Sequence, residues 1–269
     1  MLQIKELGEF SAPGSLWIPP GCTNRIAGGW RLASSKSRHI LAQSLIGVKG
    51  INRRRGGLAR MAADQEMALR DARARVEEEV RESLRVKEAF LRECAGTLAV
   101  ICAALAERLE GGGKLLLFGN GGSAADAQHI AAEFVGRYQL ERVALPAMAL
   151  TVNSSTLTAV ANDYGYEEVF ARQIGALGAR KDAAIGISTS GNSPNVLRGI
   201  AAARQLGMLT VGLTGKTGGE LKRLAGLCLC VPSDVAARVQ ECHILAGHIV
   251  SGHCERVLGK QMERAVGKG

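Results

Sequence analysis

At 269 residues the chain is long enough to bury one substantial core, and by length it holds one or two domains. Its 46% hydrophobic and 22% charged composition, with no run of about 18 uncharged apolar residues, is that of a soluble globular protein and disfavours a membrane-spanning one. The net charge of +9 is concentrated at one end: residues 1–60 carry ten Lys/Arg against Glu6 and Glu9, which leaves the remainder almost neutral and argues against a fold built to bind nucleic acid or an anionic surface.

Residues 1–60 contain "APGSLWIPPG" and "RRRGG" with no sustained period of 3.6 or 2.0, and are expected to be a basic, mostly disordered leader. Three readings compete for it: a tail touching nucleic acid, a targeting peptide, or a leader added by an upstream start codon, with Met61 and Met67 as natural starts. A secretory signal does not fit, because no apolar segment follows a basic one. Trp17 and Trp30 show no regular interleaving with basic residues, so nucleic-acid contact is not expected. From about Ala62 the chain is dense in helix formers and ends in the glycine stop Gly111-Gly112-Gly113. This predicts one long helix or a helical hairpin over 61–112, its later part packed on the domain and its early part meeting another subunit.

Over 113–269 short apolar runs, "KLLLFG", "PAMALT", "AAIGIST", "LTVGLTG" and "LCLCVP", alternate with helical segments near 123–136, 154–161, 165–178, 193–206 and 218–225, and a long helix closes the chain. Strands apolar throughout are buried on both faces, which predicts an α/β core with a parallel sheet between helical layers. Ligands in such sheets bind beyond the carboxyl ends of the strands.

Two loops at those ends are candidates. Asn120-Gly121-Gly122-Ser123 could bring backbone N–H groups and a helix N-terminus to an oxyanion, or be a plain turn with Ser123 as N-cap. Ser188-Thr189-Ser190-Gly191-Asn192-Ser193-Pro194 offers four hydroxyls around a phosphate and matches neither the P-loop nor GxGxxG. His129 and Glu133 share a helix face, half of a zinc site or a base beside a proton carrier; a surface pair is the plain alternative. Gln240 and His248 lie two turns apart on the last helix and could converge with them, and spacing leaves His243 as a competitor. The seven cysteines, odd in number and without CxxC, are expected to be reduced core residues of a cytoplasmic protein, with Cys228 and Cys230 on one strand face.

With "GNGGSAADAQHIAAEF", "VANDYGYEEVFARQI", "ISTSGNSPNV", "LTGKTGGEL" and "RVQECHILAGHIV" in this order, residues 70–262 closely resemble the sugar isomerase (SIS) domain family. The resemblance implies a flavodoxin-like three-layer sandwich with a five-stranded parallel sheet, a homotetramer, and an active site shared between subunits with one Zn²⁺ per subunit. It further implies conversion of sedoheptulose 7-phosphate to D-glycero-D-manno-heptose 7-phosphate through an enediolate, the first step toward nucleotide-activated heptose and the lipopolysaccharide core. Matching metal positions are His129, Glu133, Gln240 and His248, which selects His248 over His243, with Glu133 and His248 also the catalytic base and acid. Matching sugar-phosphate positions are Asn120, Gly121, Gly122, Ser123, Glu133, Arg137, Asn162, Asp163, Ser188, Thr189, Ser190, Ser193 and Gln240.

Two departures, alanine before the acid in "HIAAEF" and "DVAA" at 234–237, bear on substrate detail more than on reaction class. The alternatives are a non-catalytic tetramer of the same family that binds a replication initiator protein, and a sugar-phosphate sensor. Retention of Glu133 and His248 favours the enzyme over both.

Overall fold

The computed structural model describes residues 23–26, 29–32 and 55–266, with side chains over 64–259. The chain divides into two compact units, Met1–Leu69 and Arg70–Gly269. In the first, β1 (Thr23–Ile26) pairs antiparallel with β2 (Gly29–Leu32). This hairpin is local order within a segment expected to be mostly disordered: Thr23, Ile26 and Trp30 are strand-favouring residues. The rest of the leader lies outside the described residues.

The predicted helical segment is one continuous helix, α1 (Arg55–Glu110), beginning ahead of the expected boundary at 61. Part of α1 is long and apolar enough, by length and composition, to cross a membrane. Its apolar stripe of Phe90, Cys94, Leu98, Ile101, Leu105 and Leu109 is instead buried in the core, at the spacing of one helix face. Farther toward the N-terminus Val76, Val80 and Leu84 are exposed.

Five strands follow: β3 (Leu115–Gly119), β4 (Ala147–Ala149), β5 (Ala183–Ile187), β6 (Leu209–Thr214) and β7 (Leu227–Cys230). They pair in parallel in the order β4-β3-β5-β6-β7. The predicted strands are all present, and the order is the flavodoxin-like one, whose crossover reverses direction between β3 and β5.

Side chains alternate across the sheet. Leu115, Leu117, Ile185 and Leu213 point toward α1, α2 (Gly122–Val135) and α7 (Ala236–Val266). Leu116, Phe118 and Ala184 point toward α4 (Val169–Leu177), α5 (Pro194–Gln205) and α6 (Gly219–Leu224), and α3 (Ser154–Tyr164) adds Leu157 and Val160 to that layer. At the amino end of the sheet the buried Asp182 accepts from Lys114 N, Lys114 Nζ and Ala179 N, tying the starts of β3 and β5 together.

The six described cysteines are free thiols. Burial pushes Cys94 up to about 11 and Cys228 and Cys254 up to about 12, so they are inert core groups. Cys228 and Cys230 do share a strand face, with sulfurs 3.9 Å apart.

Candidate active site

The carboxyl ends of β3 and β5 carry the two predicted loops, on either side of the crossover point. Asn120, just after β3, is locked to Asn195 at the start of α5 by a reciprocal amide pair, each Nδ2 donating to the other's Oδ1 at 2.8 Å. The Tyr166 hydroxyl also donates to Asn120 Oδ1, at 3.1 Å. Asn195 is buried and Tyr166 exposed. Neither was singled out from the sequence, although Asn195 sits inside the quoted "SPN".

Ser123 does not cap α2. The cap position is Gly121, at φ 55°, with no side-chain bond to the helix, while Ser123 is a buried residue of the first turn. Glycine fits this backbone, which ordinary side chains rarely adopt, and the uncapped helix start leaves its positive end to a ligand.

In the second loop Ser193 also declines the capping role. Its Oγ bonds Ser188 Oγ at 2.9 Å, Ser188 Oγ lies 3.5 Å from Ser190 Oγ, and Ser190 Oγ accepts from Asn192 N. Pro194 begins α5 without a side-chain cap. Three hydroxyls and an uncapped helix start therefore meet in one turn, which suits a phosphate.

On the other face of the sheet, α2 and α7 approach closely enough to bring distant residues together. Gly247 makes this approach: a Cβ there would collide with the side chain of Ile130. The neighbours of these two residues are His248 and His129, and their Nε2 atoms stand 2.9 Å apart. Glu133 Oε1 lies 3.2 Å from His129 Nε2. The donor atoms of His129, Glu133 and His248 all fall within 4.8 Å of one another, the only such triad of metal-ligating side chains among the described residues.

Two donor atoms bound to tetrahedral zinc at about 2.05 Å are about 3.3 Å apart, close to the 3.2 Å between His129 and Glu133 and wider than the 2.9 Å between the imidazoles, so the donor set suits that ion once the rings part slightly. Gln240, half-buried on α7, rests its amide against the first residue of α2: a Cβ on Gly122 would lie 2.8 Å from Gln240 Cδ. His129 is exposed and Glu133 and His248 half-buried, so the triad is open to a ligand.

His243 is settled by its surroundings. It is fully buried, its Nε2 donates to Thr214 O at 3.2 Å, and burial brings its pKa down to about 4. It is a neutral core histidine, away from the triad on another face of α7. His253 is half-buried beside Leu245 and Ile249, and His39 lies outside the described residues.

The remaining predicted positions are less gathered. Arg137 is exposed and pairs with Glu141 at 3.7 Å. Asn162 and Asp163 are exposed on α3, bonded to each other at 2.8 Å. Thr189 is half-buried, its carbonyl accepting from Gly215 N. Asp126, one turn before His129, has a carboxyl that burial pushes up to about 6 against the attraction of that imidazole, and its Oδ2 is buried without a hydrogen bond.

Residues 80–215 match the model of the SIS domain. The chain belongs to the SIS domain family. It is 54% identical over 181 residues to a phosphoheptose isomerase of Roseiflexus sp., covering 67% of this chain and 92% of that one. With the phosphoheptose isomerase of Aquifex aeolicus it shares 51% over 185 residues, 69% of this chain and 95% of that one. Among solved structures, the phosphoheptose isomerase of Neisseria gonorrhoeae superposes with a TM-score of 0.66 at 39% identity, covering 69% of this chain and 99% of the other. That of Francisella tularensis gives 0.67 at 35%, covering 69% and 98%. Within the SIS family the chain thus stands among the phosphoheptose isomerases, as the five sequence motifs imply.

Proposed function

We propose that the chain is an aldose–ketose isomerase that converts sedoheptulose 7-phosphate to D-glycero-D-manno-heptose 7-phosphate. The observation that carries this reading is the convergence of His129, Glu133 and His248 from two helices, in a chain that also presents a hydroxyl-lined, uncapped helix start after β5. The identity to phosphoheptose isomerases supports the substrate class.

Moving the carbonyl from C2 to C1 needs a base to take a proton from C1, an acid to protonate oxygen, and return of a proton to C2. Glu133 takes the role of base. Its carboxylate is half-buried beside a histidine. His248 carries the proton to and from oxygen. The phosphate rests on Ser188, Thr189, Ser190 and Ser193 at the start of α5, and the Asn120 to Ser123 turn, with Arg137, Asn162 and Asp163, faces the rest of the sugar. Fixing the phosphate fixes the reacting carbons relative to Glu133, which supplies an orientation advantage that a free carboxylate lacks.

His129, Glu133, Gln240 and His248 form the zinc-binding set of this reading. When bound, zinc supplies Lewis acidity toward the sugar oxygens and holds developing negative charge. The reading also takes the protein as a cytoplasmic homotetramer. Exposed Val76, Val80 and Leu84 on α1, and an apolar groove of about 500 Å³ between α1 and α7 lined by Phe90, Leu91, Leu98, Leu245 and Ile249, support a multisubunit assembly. Residues 1–60 are read as a leader outside the catalytic unit, 61–112 as the helical segment and 113–269 as the core. No feature of the site favours a binding-only role with a replication initiator, since both the acid and the final histidine are present and adjacent.

The test is direct. Purified, zinc-loaded protein is incubated with sedoheptulose 7-phosphate while aldose formation is followed by NMR. Appearance of the aldose is expected; a folded, zinc-loaded protein that leaves the ketose unchanged would sink the enzymatic reading.

A further inference from the structure

Histidine χ2 is a soft, broad torsion, so an imidazole that must present one nitrogen to a partner needs its ring plane fixed by packing. The His248 ring is fixed by Tyr138, whose ring stacks on it with centroids 5.3 Å apart and planes inclined by 18°. Tyr138 lies in the segment between α2 and β4, where backbone alone gives little order. Two features hold it in place.

The first is a seat. Gly252 is one helical turn after His248, and a Cβ there would stand 3.2 Å from Tyr138 Cε1 and 3.3 Å from Cδ1, tighter than side chains normally tolerate. Glycine costs stability in a helix interior, so its presence at this contact needs a local reason, and room for the tyrosine supplies one.

The second is a clamp. Glu255, two turns after His248 and 1% exposed, accepts from the backbone N–H groups of Tyr138 at 2.6 Å, Gln139 at 2.8 Å and Leu140 at 3.1 Å. Its Oε1 also lies 3.4 Å from Arg142 Nε, whose side chain is 3% exposed. Arg142 in turn donates to the carbonyls of Glu133 at 2.7 Å and Phe134 at 2.7 Å, at the end of α2. Burial alone would raise the Glu255 carboxyl, but the three N–H bonds and Arg142 hold it below the usual carboxylate range, so the clamp stays charged.

The pair thus ties α7, the 138–142 segment and the end of α2 together around the catalytic triad. We infer that Tyr138, seated on Gly252 and held by the Glu255–Arg142 pair, is a positioning residue that fixes the His248 ring for metal binding and proton transfer. This rests on the proposed role of His248. Outer groups that orient a metal-binding histidine commonly change affinity or activity by about 10–100-fold when removed.

The experiment compares wild type with Tyr138→Phe, Tyr138→Leu and Gly252→Ala, measuring zinc affinity by competition with a chromophoric chelator, kcat, KM and the thermal midpoint. Tyr138→Phe keeps the stacked ring and is expected within about twofold of wild type. Tyr138→Leu is expected to weaken zinc binding and lower kcat by about 10-fold or more, with KM within about threefold. Gly252→Ala is expected to lower both in the same direction while the thermal midpoint holds or rises, an outcome a merely structural glycine would not give. Wild-type zinc affinity and kcat in Tyr138→Leu, or losses in Gly252→Ala that only follow a fall in thermal midpoint, would overturn the positioning role. A wild type that neither binds zinc nor turns over would remove the role of His248 itself, a failure visible before any variant is compared.

Discussion

His129 and His248, 119 positions apart in the chain, hold their Nε2 atoms 2.9 Å apart. Two imidazoles at that distance share a proton or a metal ion, and Glu133 beside them supplies the carboxylate that either role needs. Replacing His248 by Ala is expected to lower kcat by about 10²–10⁴-fold, the usual worth of a positioned proton carrier, with the fold retained. Steady-state kinetics and a thermal melt check it; wild-type turnover would remove His248 from the mechanism.

The approach of α2 and α7 depends on Gly247. Gly247→Ala adds a methyl against Ile130 and is expected to destabilise by about 1–3 kcal/mol despite alanine's better helix propensity, and to weaken zinc binding. Combining it with Ile130→Ala makes room for the methyl and should restore zinc affinity more than stability, since the second change leaves its own cavity. Denaturant titration and zinc competition on the two variants test the coupling.

Buried His243, its pKa down at about 4 against 6.5 unfolded, contributes to pH-dependent stability. Between those values the unfolded chain binds a proton that the folded chain refuses. Its contribution is therefore fully present above about pH 6.5 and is lost as pH falls toward 4, by about 3 kcal/mol in all. Asp126, pushed up to about 6, has the opposite sign over an overlapping range, so wild type must be compared with a His243→Gln variant that keeps Asp126. The difference in unfolding free energy between the two is expected to shrink from pH 7 to pH 4.5; a constant difference would mean His243 titrates normally.

At the far end of the sheet Asp182 satisfies two backbone N–H groups and Lys114. Asp182→Ala is expected to cost about 2–4 kcal/mol while leaving kcat unchanged, because it orphans buried donors away from the triad. Urea unfolding beside kinetics distinguishes this from a change at the site.

The strands were legible because each is predominantly apolar and bounded by glycine or by polar turns, and the sheet's carboxyl ends followed from that alone. The pairing of His129 with Glu133 was readable as one helical turn. Its meeting with His248 was not, because contact between α2 and α7 depends on a glycine fitting against Ile130 and leaves no periodic trace. Gln240 and the choice of His248 over His243 came from family resemblance; in the structure His243 is buried in the core. Tyr138, Arg142 and Glu255 were missed because a buried ion pair between residues 142 and 255 reads in sequence as two ordinary surface charges. The hairpin at 23–32 was missed because Pro, Gly and Arg around it dominate the composition.

A chain begun at Met61 is expected to fold, bind zinc and turn over as the full-length chain does, since the site residues all lie within Arg70–Gly269. Loss of assembly or activity on this truncation would give the basic leader a role in the enzyme.

The most direct measurement is turnover of sedoheptulose 7-phosphate by Glu133→Gln beside wild type, with zinc content and thermal midpoint determined for both. The account predicts a folded variant whose kcat falls at least about 100-fold, because the amide cannot take the C1 proton. A Glu133→Gln protein that isomerises the sugar at the wild-type rate would contradict it.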